Sequence, residues 1–261
     1  MEVTVLASGS KGNATHLKTD HGNFLIDAGI SYRQLTERMR LRNLQQTLDG
    51  VFLTHEHSDH TKGLFQLIKQ TRVPLYAFKP TYKAAGKKKN TLPADHTHID
   101  LPAFGPLEIG ALKITPVRTS HDAAHGLGFV FEEQGKRLVY MTDTGYLDER
   151  DFPLLKNAEM YIFESNYDVS MLYESERPHH LKQRIDSVRG HLSNTDSAYY
   201  LSRLVGEKTA RIILAHPSED CNTEACALST LQSVFESYDL DLTRYEVLVA
   251  SQHTPTPTFN L

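Results

Sequence analysis

The sequence predicts an α/β protein of four layers, in which two β-sheets pack face to face and helices cover both outer faces, an αββα sandwich. Three observations lead there. The chain runs through strand-like and then helical stretches, and then repeats that order, as two stacked half-units would. Its strand-like runs are short and bounded by Gly, Asn and Asp turn signals. No repeat, low-complexity tract or linker divides residues 1–261, so one domain with a substantial core is expected.

The elements follow in order. Val3–Ala7, Ala14–Lys18 and Asn23–Ile26 read as a meander of strands. Residues 31–42 place Tyr32, Leu35 and Met39 at helical spacing. Val51–Thr54 is a short buried strand ending at His55. Thr61–Gln70 reads as one helix with Leu64, Leu67 and Ile68 on a face, and Leu75–Phe78 as a strand. Leu112–Val117, Leu127–Glu132, Arg137–Thr142 and Met160–Glu164 form a second β-rich stretch. Helices are expected near His180–Val188 and Asn194–Val205, then a strand at Arg211–Ala215, a helix at Thr223–Ser237 and a last strand at Arg244–Val249.

Composition excludes several classes. A formal charge of −4 gives no global basic field for a nucleic acid, so any such partner must be held by a local patch or by metals. Two cysteines, Cys221 and Cys226, cannot make a disulfide framework and fit a reducing compartment. No window approaches the roughly 20 apolar residues of a membrane span. The first residues, MEVTVLASGSKGN, lack a basic segment followed by an apolar core. A cytoplasmic protein without membrane contact is expected.

Chemistry concentrates in HEHSDH, His55 to His60, directly after a buried strand. A helix would scatter its four candidate ligands over several faces, whereas a loop at a strand's end can wrap them around a small volume. His55 and His57 can reach one metal, and Asp59 and His60 a second. Imidazole and carboxylate donors suit Zn, Fe, Mn or Ni. Further on, His121 in TSHDAAHG, Asp143 in MTDTG and His216 in LAHPS each follow a strand. Singly, each reads as an ordinary loop residue. Together they supply the donors that the first four lack.

On these residues the chain resembles the metallo-β-lactamase superfamily, whose pattern is an early Asp, then HxHxDH, then His, Asp and His at strand ends. Asp27 in LIDAG, HEHSDH, His121, Asp143 and His216 match it without departure. The resemblance implies one metal on His55, His57 and His121 and another on Asp59, His60 and His216. Asp143 would bridge them, and Asp27 would orient the histidine loop. It also implies two divalent ions (Zn, Mn or Fe) that activate water toward an electrophilic carbon or phosphorus.

Metal ligands alone do not choose a branch. SGSKGN (Ser8–Asn13), FESNYD (Phe163–Asp168) and RGHLSN (Arg189–Asn194) are the remaining distinctive runs. A Gly-rich hairpin and a helix capped by Ser193 or Asn194 account for the first and last, but leave His191 over. The set is similar to the YycJ (WalJ) branch, whose members carry SGSxGN, LIDAG, HxHxDH, SHD, TDTG, ESNxD, LKxRI and GHLSN in this order. LKxRI is here Leu181–Ile185. The chain departs from that branch just before it, where a Gly-Pro-Tyr-Pro-like run is replaced by Glu176-Arg177-Pro178-His179-His180.

The branch implies a 5′-to-3′ DNA exonuclease, a metal-dependent phosphodiesterase that grips the backbone of DNA with a free 5′ end. By the same resemblance His191 is expected at the scissile phosphate as a catalytic group beside the metal-held Asp59. Substrate contacts are expected from Asn13, Ser193, Asn194, Lys182 and Arg184. Arg189 and Lys11 could seat flanking phosphates. The basic run Lys87-Lys88-Lys89 reads better as a solvated face. The rival enzyme is an ester or thioester hydrolase resembling glyoxalase II, which needs the metal ligands but neither His191 nor a basic rim. A di-iron redox protein would use the same ligands but pass electrons to a flavin or haem partner, and no flavin-binding segment is visible. A non-catalytic regulator would not need every ligand retained.

Overall fold

The computed structural model describes residues 1–86, 92–93, 95–103 and 105–261. The Lys87–Lys89 run lies outside the described residues. Fourteen strands among the described residues form two seven-stranded sheets. The first is built from β1 (Glu2–Ala7), β2 (Ala14–Thr19), β3 (Gly22–Ile26), β4 (Gly50–Phe52), β5 (Leu75–Ala77), β6 (His98–Asp100) and β14 (Phe259–Asn260), in the order β14-β1-β2-β3-β4-β5-β6. The second contains β7 (Leu107–Ile109), β8 (Leu112–Arg118), β9 (Leu127–Glu133), β10 (Lys136–Met141), β11 (Met160–Glu164), β12 (Arg211–Ala215) and β13 (Glu246–Val249), in the order β13-β12-β11-β10-β9-β8-β7. The helices are α1 (Tyr32–Leu41), α2 (Ser58–Thr61), α3 (Leu64–Thr71), α4 (Lys79–Gly86), α5 (Phe152–Leu155), α6 (Val169–Glu174), α7 (His179–Ile185), α8 (Asn194–Leu204) and α9 (Glu224–Ser237). None among the described residues is long and apolar enough to cross a membrane.

Strand alternation builds the layers. In β11, Met160 and Ile162 point between the sheets while Tyr161 and Phe163 point outward under the helices. Leu138 and Tyr140 of β10 face inward, and Val139 and Met141 outward; Ile213 of β12 faces inward, and Ile212 and Leu214 outward. Strands buried on both faces read as continuous apolar runs for this reason. The outer layer of the second sheet is closed by Ala198, Leu201 and Leu204 of α8 and Ala227, Leu231 and Phe235 of α9. Leu35 and Met39 of α1 and Leu64, Leu67 and Ile68 of α3 cover the first sheet. Across the interior, Phe52 stacks on Tyr76 at 4.7 Å and meets Phe129 and Phe131 of the facing sheet at 5.8 and 5.5 Å.

Helix starts are set by side chains that accept orphan backbone N–H groups. Ser31 and Gln34 form a capping box on α1, and Ser193 and Thr223 cap α8 and α9. One helix expected over Thr61–Gln70 is instead two, α2 and α3, parted at Lys62-Gly63. Gly63 N donates to Ala28 O, and a Cβ at Gly63 would lie 2.0 Å from Ile30 O. The chain breaks there to let the LIDAG turn approach. HEHSDH is accordingly only partly a loop, its last three residues falling in the single turn of α2. Four short elements, α5, α6, β6 and β7, carry too few residues to show a period, α4 is not among the expected helices either, and β14 is fixed only by pairing with β1 at the other end of the chain.

Strand direction is what gathers the polar motifs. In the first sheet β3, β4 and β5 run parallel. In the second, β10, β11 and β12 are parallel, and β8 shares their direction because both it and β10 pair antiparallel with β9. The carboxyl ends of β3, β4, β8, β10, β11 and β12 are each followed by one of the polar motifs.

The LIDAG turn packs without slack against the histidine segment. Gly29 N donates to Asn13 O, Asn13 N donates to Asp59 O, and a Cβ at Gly29 would sit 1.6 Å from Asp59 O. Gly29→Ala should therefore cost about 1–3 kcal/mol as an overpacking change. Urea unfolding measures it; a midpoint equal to wild type would show that the two turns separate freely.

Candidate metal centre

Strand ends deliver the polar side chains to one place. His55 follows β4 and His121 follows β8. Asp143 follows β10, Glu164 closes β11 and His216 follows β12. Ligand atoms of His55, His57 and His121 lie within 4.8 Å of one another, as do those of Asp59, His60, Asp143 and His216, and a third set, Asp143, Glu164, His191 and His216, overlaps the second. Asp143 faces both groups: its Oδ2 is 3.1 Å from His60 Nε2, while its Oδ1 is 3.5 Å from His216 Nε2 and 3.9 Å from His121 Nε2.

The imidazoles share an orientation. His60 Nδ1 donates to Asp27 Oδ2 at 2.7 Å, and His121 Nδ1 donates to Gly190 O at 2.9 Å. His216 Nδ1 lies 3.2 Å from Glu164 Oε1. The Thr54 hydroxyl donates to the Asp27 carboxylate at 2.9–3.0 Å and so receives from His55 Nδ1 at 3.0 Å. With Nδ1 spent outward, Nε2 of each of these rings turns inward as a lone-pair donor. His57 is the exception, presenting Nδ1 3.2 Å from His121 Nε2. An outward anchor on each ring is the arrangement by which metal-ligating histidines are fixed.

The donor set fits divalent cations on a direct observation. His55 Nε2 is buried and has no hydrogen-bond partner among the described residues. Orphaned buried polar atoms are costly unless something else engages them. Charges agree. Burial works against ionisation of Asp143, yet the imidazoles of His216 and His60 hold it well below the usual carboxylate range. Burial opposes ionisation of Asp59 too, and the imidazoles of His60 and His216 again outweigh it and hold the carboxyl low. Burial and the His60 ring keep His55 neutral by pushing it well down, the state in which it can ligate. Burial disfavours a charged His216, but Asp143, Asp59 and Glu164 raise it to about 10; a cation would displace that proton.

Asp27 has the orienting position. It is fully buried, and it accepts from Thr54 N, the Thr54 hydroxyl and His60 Nδ1. His191 lies beside the cluster, with Nδ1 2.7 Å from Glu164 Oε1 and 3.8 Å from Asp143 Oδ1. A cleft of about 220 Å³ opens over the cluster, lined by His57, Asp59, His121, Asp143, His191 and His216. Arg177 and Arg184 also line it. Arg184 is paired with Asp122 and Arg177 with Asp220.

Several expected substrate contacts are not in this cleft. Asn13 is buried and engaged, its side chain meeting Gly9 N, Gly9 O and His60 Nε2, so it packs against the ligand cluster and does not line the cleft. Ser193 is buried as the cap of α8, and Asn194 is buried between Ser165 and Asn222. Lys182 turns its ammonium to Tyr173 O, and Lys11 pairs with Glu219. Of the five expected contact residues, Arg184 alone lines the cleft. Arg177, from the loop that departs from the YycJ pattern, joins it there.

Glu164 is a site residue that the motifs do not single out. It is fully buried, accepts from Thr144 N at 2.7 Å and meets both His191 and His216. Burial opposes its ionisation, but His191 and His216 hold it below the usual range. Asn166, two residues on, donates to His216 O at 2.7 Å. The sequence does carry a signal for Glu164, a carboxylate at the end of an apolar strand beside those that lead to Asp143 and His216.

Comparison with known proteins agrees with this geometry. Residues 22–216 match the family model described as the beta-lactamase superfamily domain. The exodeoxyribonuclease YycJ of Bacillus anthracis is 35% identical over 90% of this chain and 89% of its own length. The exodeoxyribonuclease WalJ of Streptococcus pneumoniae serotype 2 is 34% identical over 97% of this chain and 96% of its own. Among solved structures, the metallo-beta-lactamase fold protein YhfI from Bacillus subtilis superposes with a TM-score of 0.69 at 18% identity, covering 98% of each chain.

Removing the charge from Asp27 tests the anchoring. Asp27→Asn keeps the volume but replaces an oxygen acceptor at His60 Nδ1. Metal affinity should fall about 10–100-fold, read by competition with a chelating dye, while circular dichroism stays native. Unchanged affinity would mean that His60 holds its place without Asp27.

Proposed function

The chain belongs to the beta-lactamase superfamily, on the branch of the YycJ and WalJ exodeoxyribonucleases, and from that premise we propose that it is a metal-dependent exonuclease acting on DNA from a free 5′ end. His55, His57 and His121 would hold one divalent ion, of Zn, Mn or Fe, and Asp59, His60 and His216 a second, with Asp143 available to both. The observation that carries the reading is His191: an imidazole additional to the seven ligands that the family pattern names, oriented by the buried Glu164 carboxylate and lining the same cleft. Hydrolysis of a thioester or lactone has no need of that group or of the two guanidiniums in the cleft wall.

Bound there, the ions would lower the pKa of water toward neutrality and offset charge on the phosphoryl oxygens. The chain's own residues do the rest. Glu164 takes His191 Nδ1 and leaves Nε2 as the ring nitrogen that meets substrate. A proton on Nε2 can pass to the departing 3′ oxygen, or form a hydrogen bond to the phosphoryl oxygen. Arg184 and Arg177 give the terminal phosphate a cationic seat, in exchange for Asp122 and Asp220. Helices α6 and α7 supply Leu172, Leu181 and Ile185 to the cleft wall. With contacts limited to backbone groups, sequence readout is not expected. Both cysteines are free thiols, which suits work in a reducing cytoplasm.

Asp59→Ala should abolish turnover of a 5′-phosphorylated oligonucleotide while the fold persists, and chelator should do the same to wild type. Activity above a trace with chelator present would remove metal from the mechanism. His191→Ala separates nuclease from esterase. Its rate on the oligonucleotide should drop about 10²–10⁴-fold, with metal content equal to wild type by elemental analysis. Any thioester hydrolysis should change far less. Equal oligonucleotide rates take His191 out of the reaction, and a wild type active only on the thioester moves the protein to the rival class.

A further inference from the structure

A second and larger cavity, of about 780 Å³, opens on the other side of His121. His121 lines both cavities, so they meet at the ligand cluster. The ridge between them is the turn from Ile185 to His191, closed by His191 N donating to Ile185 O at 3.0 Å and Gly190 N to Ser187 O at 2.8 Å. The Ser120 hydroxyl, donating to Val188 O at 2.6 Å, pins this ridge to the His121 segment. Arg184 faces the cleft on one side of the ridge, and Arg189 faces the groove on the other.

The groove has an uncommon set of free groups. Arg118 and Arg189 are exposed and have no carboxylate partner among the described residues. Asp148 is neutralised by Arg150 through paired contacts at 2.5–3.0 Å, which leaves Asp151 as the other carboxylate on the wall. Tyr146 shows 45% of its surface on the same wall. Unpaired guanidiniums attract phosphates, and an exposed phenol ring offers a face on which any base can stack. A small neutral ligand would use neither.

We propose that this groove holds the uncut body of a nucleic-acid strand whose end lies in the cleft, with Arg118 and Arg189 on its phosphates and one base stacked on Tyr146. The proposal rests on the nuclease reading above. The strand crosses the ridge at His121 and His191, so the bond to be cut lies where the two cavities join. Because the contacts are to phosphates and a base face, the groove accepts any sequence.

Binding tests it without turnover. A 3′-labelled, 5′-phosphorylated single-stranded DNA of about 20 nucleotides, longer than one site of this kind covers, is titrated by fluorescence anisotropy, with chelator present, across a KCl series. For Arg118→Ala/Arg189→Ala, affinity should fall about tenfold or more at low salt, and the slope of log K against log salt should lessen by about 1.4, or about 0.7 per lost phosphate contact. Tyr146→Ala should weaken binding about 5- to 150-fold with the slope unchanged, the mark of lost stacking. Wild-type affinity and slope in all variants overturn the proposal, and so does a wild type that fails to bind the strand at low salt. The underlying reading is scored apart, by adding Mn²⁺ or Zn²⁺ to wild type on the same strand. Binding with these signatures but no cleavage keeps the groove and removes the nuclease.

Discussion

The site hangs on one buried carboxylate. Asp27 is fully enclosed, and its φ of 59° places it in the left-handed region that non-glycine residues rarely occupy. From that turn it takes Thr54 N, the Thr54 hydroxyl and His60 Nδ1. Thr54 in turn fixes His55. One side chain just past β3 thus sets the direction of two ligands that follow β4, and the close packing of Gly29 on Asp59 sets a third. Burying a charge is costly unless it is fully hydrogen-bonded, and here every partner of the charge belongs to the metal loop.

Glu164 repeats the device on the second sheet. It too lies at the carboxyl end of a buried strand, and it receives imidazole nitrogens from His191 and His216. Each sheet therefore contributes one carboxylate behind the ligands, and Asp143 stands between the two sets. Asp143 and His216 share the left-handed backbone of Asp27, with φ of 57° and 55°. Each such residue costs of order 1–3 kcal/mol and persists where surrounding structure over-determines it. The sharp turn lets a side chain leave the sheet edge and point back into the space between sheets. Strain and function coincide at the same three positions.

Much of this is legible in the residues. The layered fold shows in apolar runs that alternate faces across β10, β11 and β12. HEHSDH is legible because four donors fall within six residues after a buried strand. His121, Asp143 and His216 are legible only jointly. Side-chain direction is not legible. Asn13, Ser193 and Asn194 sit in distinctive motifs, yet a motif does not say whether its polar atoms face solvent or brace a neighbour. All three are buried and spend their hydrogen bonds on the protein itself. Lys182 sits two residues before Arg184 on α7, and that offset sends one cation to Tyr173 O and the other into the cleft. Glu164 is obscured because ESNYD looks like a turn, while its first residue still belongs to the strand that ends there.

The segment from Arg184 to Asn194 shows why the runs LKxRI and GHLSN occur together. Gly190 gives its carbonyl to His121 Nδ1, and a Cβ there would meet Ile185 O at 2.1 Å, so the turn closes only around a residue without a side chain. That closure aims His191 at Glu164 and leaves Arg184 and Arg189 on opposite faces of the ridge. Ser193 then caps α8, which anchors the ridge to the second sheet through Ala198, Leu201 and Leu204. A ligand's hydrogen-bond acceptor, the orienting geometry of His191 and the wall between two cavities thus belong to one short covalent unit. A shift of that unit would move all three together, so the orientation of His121 and the shape of both cavities are coupled through it.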